Sequence, residues 1–311
     1  MDEWYNSKKL PAFLFGTVHA VKVLDQDEQK TMIKFKVTNI QNEEGAFTIA
    51  FRTGGGNRRM GGFSETINKL VYLEGNQTKE ISFLIDGTPR GITLNTLASM
   101  NIPNEIRLSL DNVPEDDKAV PYEGEKIVND PVSLTEKNEI IVDNEDAGFS
   151  VSEGKERTSL LREILFSEEE ETSKYSGFNT WRSPREWRLT TNSDFYGAYI
   201  RSAYYIRSGE GNKQAQWKIP IKKAGYYDVY VYIYKEDNHR RRGNGNKGGY
   251  HYIVYSDNGK EDITLELKTA DKGWNLLGSY YFSSDSAVVK LTNQTESNIV
   301  VADAVKLTEQ R

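Results

Sequence analysis

Apolar and polar residues alternate along most of this chain. Residues 31–40 (TMIKFKVTNI), 46–53 (AFTIAFRT), 78–86 (TKEISFLID) and 104–112 (NEIRLSLDN) all follow a two-residue period and are rich in β-branched and aromatic types. That is the pattern of strands with one face buried. Clusters of Gly, Asn and Pro separate the runs. Short strands with regular turn text predict an immunoglobulin-like β-sandwich over residues 1–112. Residues 113–138 are highly charged, contain Pro114, Pro121 and Pro131, and hold neither period for long. They are expected to form a linker.

Strand text resumes at 139–152 (EIIVDNEDAGFSVS) and breaks off over residues 154–175, where Leu160, Leu161, Ile164 and Leu165 cluster at near-helical spacing. A short helix is expected there, with Glu168–Glu171 at its solvated end. Strand candidates then follow closely: 198–206, 213–221, 225–234, 249–259, 261–270, 279–283, 287–292 and 299–307. This crowding predicts a jelly-roll-like β-sandwich over residues 139–311. The expected fold class is therefore all-β, two β-sandwich domains in tandem. In 226–234 (YYDVYVYIY), Tyr226, Asp228, Tyr230, Tyr232 and Tyr234 fall on one face, and Tyr227, Val229, Val231 and Ile233 on the other. The second set is expected in the core. The first forms a tyrosine ladder, suited either to a plain half-covered sheet face or to stacking against the C–H faces of sugars.

Composition narrows the partners. The chain has 311 residues, 40 basic and 46 acidic, for a net charge of −6. No broad positive field is available for a nucleic-acid backbone, so nucleic acid is not an expected partner. With no cysteine, disulfides, thiolate metal sites and cysteine nucleophiles are excluded. No apolar run reaches membrane length, so membrane insertion is not expected.

Catalytic motifs are sparse. His19, His239 and His251 lack metal-ligand spacing, and no serine lies in a nucleophile-elbow motif. The glycine-rich stretch 52–63, with Arg58 and Arg59, lacks the Gly-Lys-Ser/Thr ending of a phosphate loop. Nothing singles out a carboxylate pair for glycoside hydrolysis. The chain is expected not to be an enzyme.

Several motifs in fixed order carry a family resemblance: VDNEDAGF (142–149), the tract from Phe195 to Tyr234, YHYIVYSDNG (250–259), GWNLLGSYYF (273–282) and VVADAVKL (300–307). Residues 139–308 resemble the golvesin C-terminal-like domain, also described as the carbohydrate-binding-like domain of xanthan lyases and frequent in large exported proteins of Bacteroidetes. The resemblance implies a β-sandwich accessory module of a periplasmic, cell-surface or secreted protein, with other domains of a parent chain and a polysaccharide or other glycan as partners. Two segments depart from the pattern: the insert 160–175 and the basic loop 235–249 with Arg240, Arg241 and Arg242.

If the module binds glycan, Trp181, Arg182, Arg185, Trp187, Tyr196 and Tyr199 are the expected ligand group, because aromatics and guanidinia interleave there. The alternative for these residues is core and rim packing. Trp217 and Trp274 stand in strand or turn text and are expected in the core. Sugar-binding jelly rolls often hold a structural calcium between an acidic turn and an Asp on the last strand, which nominates Asp143, Glu145, Asp146 and Asp303. The alternative is a plain turn with Asp303 paired inside its strand. Three function classes follow: a glycan-binding accessory region, a purely structural or protein-interaction module, and an unrecognised glycan-active hydrolase or lyase.

Overall fold

The computed structural model describes residues 9–53, 66–110, 112–116, 118–152, 174–235, 248–283 and 285–310. These are all-β, and no helix occurs among them. The helix expected around Leu160–Leu165, the Glu168–Glu171 run, Arg58 and Arg59, His239 and Arg240–Arg242 lie outside the described residues. No helix of the described residues is long and apolar enough to cross a membrane. The chain divides into two compact units, Met1–Leu134 with Ala198–Ile200, and Thr135–Gly197 with Arg201–Arg311.

The first unit contains β1 (Phe13–Phe15), β2 (His19–Asp25), β3 (Glu28–Asn39), β4 (Gly45–Thr53), β5 (Thr66–Leu73), β6 (Thr78–Asp86), β7 (Pro89–Asn95), β8 (Glu105–Ser109) and β9 (Gly124–Ile127). One antiparallel sheet runs β1-β3-β6-β9 with β2 also on β3, and a second runs β5-β4-β7-β8. The alternating apolar positions read from the sequence meet as a core rich in phenylalanine, including Phe13, Phe35, Phe47, Phe51 and Phe83. Phe15 meets Phe47 edge-on at 5.1 Å and Phe51 meets Phe83 at 5.3 Å, geometries the ring quadrupole favours. The segment expected as a linker is not featureless. Its residues Gly124–Ile127 form β9, which pairs with Ser82–Lys79 of β6. A lone edge strand borrows its partner's backbone and needs little apolar text of its own, which is why GEKI escapes a periodicity reading.

The second unit contains β10 (Glu139–Val142), β11 (Phe149–Ser152), β12 (Arg188–Thr191), β13 (Ser202–Arg207), β14 (Gln214–Pro220), β15 (Gly225–Ile233), β16 (Gly249–Ser256), β17 (Gly259–Glu266), β18 (Gly273–Phe282), β19 (Ser286–Thr292), β20 (Ile299–Ala302) and β21 (Val305–Glu309). Its sheets are ordered β10-β21-β15-β18, β11-β14-β19-β16-β17, and a smaller β12-β13-β20. The inner faces of the two larger sheets share one core, in which Val229, Val231 and Ile233 of β15 join Trp217, Tyr252, Val254, Val289 and Leu307. The outer face of the β10-β21-β15-β18 sheet is left for the tyrosines of β15.

Candidate functional site

The predicted ligand group is split by the fold. Trp181 is 76% exposed on a loop, where its backbone N–H and that of Arg182 both donate to Asn179 Oδ1 at 3.0 Å. Arg182 and Arg185 are exposed on the same loop, and the Arg185 carbonyl accepts from Lys213 Nζ at 2.9 Å. Trp187 is only 6% exposed and belongs to the core of the second unit, so its ring packs against that core and offers no open face. Tyr199 falls in the segment that groups with the first unit. Tyr196 alone enters an aromatic cluster, and it does so with residues outside that group, one of them from the tyrosine ladder.

Those residues are Tyr232 and Trp274. The rings of Tyr196, Tyr232 and Trp274 meet with centroids at 5.6, 5.1 and 5.2 Å, a closed triangle of tilted and edge-on contacts. Tyr232 and Trp274 are direct cross-strand partners of β15 and β18, so both side chains emerge on the outer face. Gly273, at φ +97°, turns the chain into β18 just ahead of Trp274, a conformation that L side chains rarely adopt. Trp274 is half-buried on this face rather than in the core, which corrects the expectation from its strand text. Lys306 of β21 lies 5.0 Å from the Trp274 ring and 5.1 Å from the Tyr230 ring, while its ammonium pairs with Glu139 at 2.7 Å. Asp194 and Lys272 form an ion pair at 2.8 Å.

The face continues along β15. Tyr230 stands opposite Leu276, which is 51% exposed. Asp228 accepts hydrogen bonds from Ser279 Oγ and, at 2.6 Å, from Gln310 Nε2. At the far end Tyr226, 55% exposed, meets Tyr281 edge-on at 5.2 Å. The ladder read from the sequence is thus present at Tyr226, Asp228, Tyr230 and Tyr232. It stops short of Tyr234, whose ring packs on Phe178 and Phe195 in a separate small core.

The four acids nominated for calcium are arranged differently. Among the described residues no three His, Cys, Asp or Glu side chains are grouped to hold a metal ion. Their partners show why. Glu145 accepts from Lys174 Nζ at 2.6 Å, Tyr175 Oη at 3.1 Å and Ser202 Oγ at 2.8 Å. Asp146 Oδ2 closes the turn by accepting the Asp143 backbone N–H at 2.8 Å. Asp303 is 2% exposed, and its Oδ2 accepts the Tyr196 N–H at 3.1 Å while its carbonyl accepts Trp217 Nε1 at 3.1 Å. These acids are taken up in turn and strand hydrogen bonds.

Protons answer the charge problem instead. Burial raises the Asp143 carboxyl to about 8, and the neighbouring charges of Asp146 and Glu145 push in the same direction. Burial also lifts Asp303 well above the ordinary carboxylate range, with the charge of Asp143 adding to it. Asp303 Oδ1 has no hydrogen-bond partner among the described residues.

No curated protein matches the chain. The solved structure of a Paenibacillus xanthan lyase is similar at 17% identity and a TM-score of 0.39, over 95% of this chain and 25% of that one. A Bacteroides uniformis β-glucuronidase structure is similar at 11% identity and a TM-score of 0.25, over 90% of this chain and 28% of that one. This chain spans roughly a quarter of the length of those two. Residues 174–309 match the family described as the Golvesin C-terminal domain, a stretch that begins after β10 and β11 and includes Tyr196, Tyr232, Trp274 and Lys306. The matched stretch lies in the second unit apart from Ala198–Ile200.

Proposed function

We propose that the chain is a non-catalytic accessory region of a larger surface or secreted protein, and that its second unit binds glycan on the outer face of the β10-β21-β15-β18 sheet. The observation that carries this is the Tyr196–Tyr232–Trp274 cluster flanked by Lys306 and Glu139. Aromatic faces stack against the apolar C–H faces of sugars, and fixed charged or amide groups beside them bond the hydroxyls. On this reading the first unit is an immunoglobulin-like spacer between the glycan-binding unit and other domains of a parent chain.

The test is a polysaccharide and glycan array, with neutral and acidic members, on wild type and on Trp274→Ala, with the fold of the variant checked by circular dichroism. Glycan binding by wild type and its loss of at least about tenfold in a folded Trp274→Ala protein are expected, since one aromatic stacking contact contributes on the order of 1–2 kcal/mol. Failure of wild type to bind any glycan would leave a structural module.

A further inference from the structure

The outer face of β15 holds two separated aromatic clusters, and their separation says what shape of ligand the face suits. Tyr226 and Tyr281 lie at one end, and Tyr196, Tyr232 and Trp274 at the other. Tyr226 and Tyr232 are six positions apart on one strand, a span of about 20 Å. Parity keeps both on the same face, and the pairings Tyr226↔Tyr281 and Tyr232↔Trp274 place an aromatic partner beside each. Between the clusters the floor is lined by Asp228, held by Ser279 and Gln310, and by Tyr230 with exposed Leu276. The face follows a strand and offers contacts along its whole length, which suits a chain more than a single terminal sugar.

Charge narrows the class further. Lys306 is paired with Glu139, and at the Tyr226 end Lys223 is paired with Glu309 at 2.5 Å. Asp228 has hydrogen-bond donors but no cation within ion-pair distance among the described residues. A polyanion laid along β15 would meet this carboxylate with no free cation beside it among the described residues, whereas the carboxylate accepts hydroxyl donors well. We infer that the face binds an extended, uncharged glycan chain that occupies the Tyr226–Tyr281 and Tyr196–Tyr232–Trp274 clusters at once. This rests on the glycan-binding reading above and adds the length, the charge class and the second subsite. Joining two weak subsites through one chain raises affinity beyond either subsite alone.

The experiment is titration calorimetry of the full chain with neutral gluco-, xylo- and manno-oligosaccharides of about two to about six sugar units, where bridging of two subsites makes affinity climb with length. The affinity is expected to rise at least about tenfold with length and then level off. Tyr226→Ala, at an exposed position, is expected to reduce the affinity for the long members to that of the short ones and to leave the short ones unchanged; Tyr281→Ala should repeat this. Binding that ignores length, is untouched by both changes, or favours an acidic polysaccharide would overturn the inference while the glycan-binding reading stands. Binding of a proline-rich peptide in place of any glycan, or of nothing, would overturn both.

Discussion

Burial raises both Asp143 and Asp303, the charge of Asp143 adds to the shift of Asp303, and each holds its proton far above the pH at which a free aspartate loses it. The consequence for stability has a definite sign. A carboxyl whose folded-state value is raised stabilises the fold fully below its unfolded value, and that contribution is lost as pH rises through the folded value. For Asp143 the window runs from 3.8 to about 8. Asp143→Asn removes the titration but keeps a side-chain oxygen to accept the Asn144 N–H, which lies 2.7 Å from Asp143 Oδ1. The variant is expected to gain urea resistance relative to wild type as pH rises from mildly acidic to mildly alkaline; a difference that stays flat would refute the buried neutral pair. Trp217, 1% exposed and bonded through Nε1 to the Asp303 carbonyl, is the other residue on which this region depends. Trp217→Ala should cost about 3–5 kcal/mol in chemical denaturation. Its burial was legible from strand text. That of Trp187 was not, because flanking arginines and a proline read as loop while the indole itself turns into the core.

The strand β15 shows what alternation reveals and what it withholds. Its inner positions Tyr227, Val229, Val231 and Ile233 and its outer positions Tyr226, Asp228, Tyr230 and Tyr232 follow directly from a period of two. The outer face of β18 does not. Its register with β15 shifts by one residue between Val229 and Tyr230, so Leu276 and Trp274 face outward on one side of the bulge and Ser279 and Tyr281 on the other. A reading from local sequence has no access to that shift, and it left Trp274 in the core. Lys306 was missed for the same reason: its place over two rings depends on the pairing Tyr230↔Lys306, far apart in the chain. Gly273 is the sequence signal that could have helped, since a glycine immediately before an aromatic strand marks a turn. Replacing it with alanine at φ +97° is expected to cost about 1–3 kcal/mol and to weaken glycan binding by misdirecting Trp274, as thermal unfolding and calorimetry on the same sample would show. Unchanged stability would mean that the turn is not strained by a side chain.

At the scale of the whole molecule each unit has its own apolar core, the first built mainly of phenylalanine and aliphatic residues and the second of Trp, Tyr and aliphatic residues. Two sandwiches were legible because period-two text with turn punctuation dominates both halves of the sequence. The bonding of the acidic turn was not, because its carboxylates meet backbone and side-chain donors that only the fold brings near. With a net charge of −6 and the platform lysine already paired, the described residues of the β15 face offer little to a polyanion and much to hydroxyl-rich neutral chains. The central claim is that sugar contacts the chain at Trp274. The most direct measurement replaces the exposed Trp181 with Phe and follows tryptophan fluorescence during titration with a neutral polysaccharide that binds the wild type. A saturable blue shift that disappears in the Trp181→Phe, Trp274→Phe double variant is predicted. A shift that needs Trp181 and ignores Trp274 would contradict the account and move the site to the arginine-rich loop.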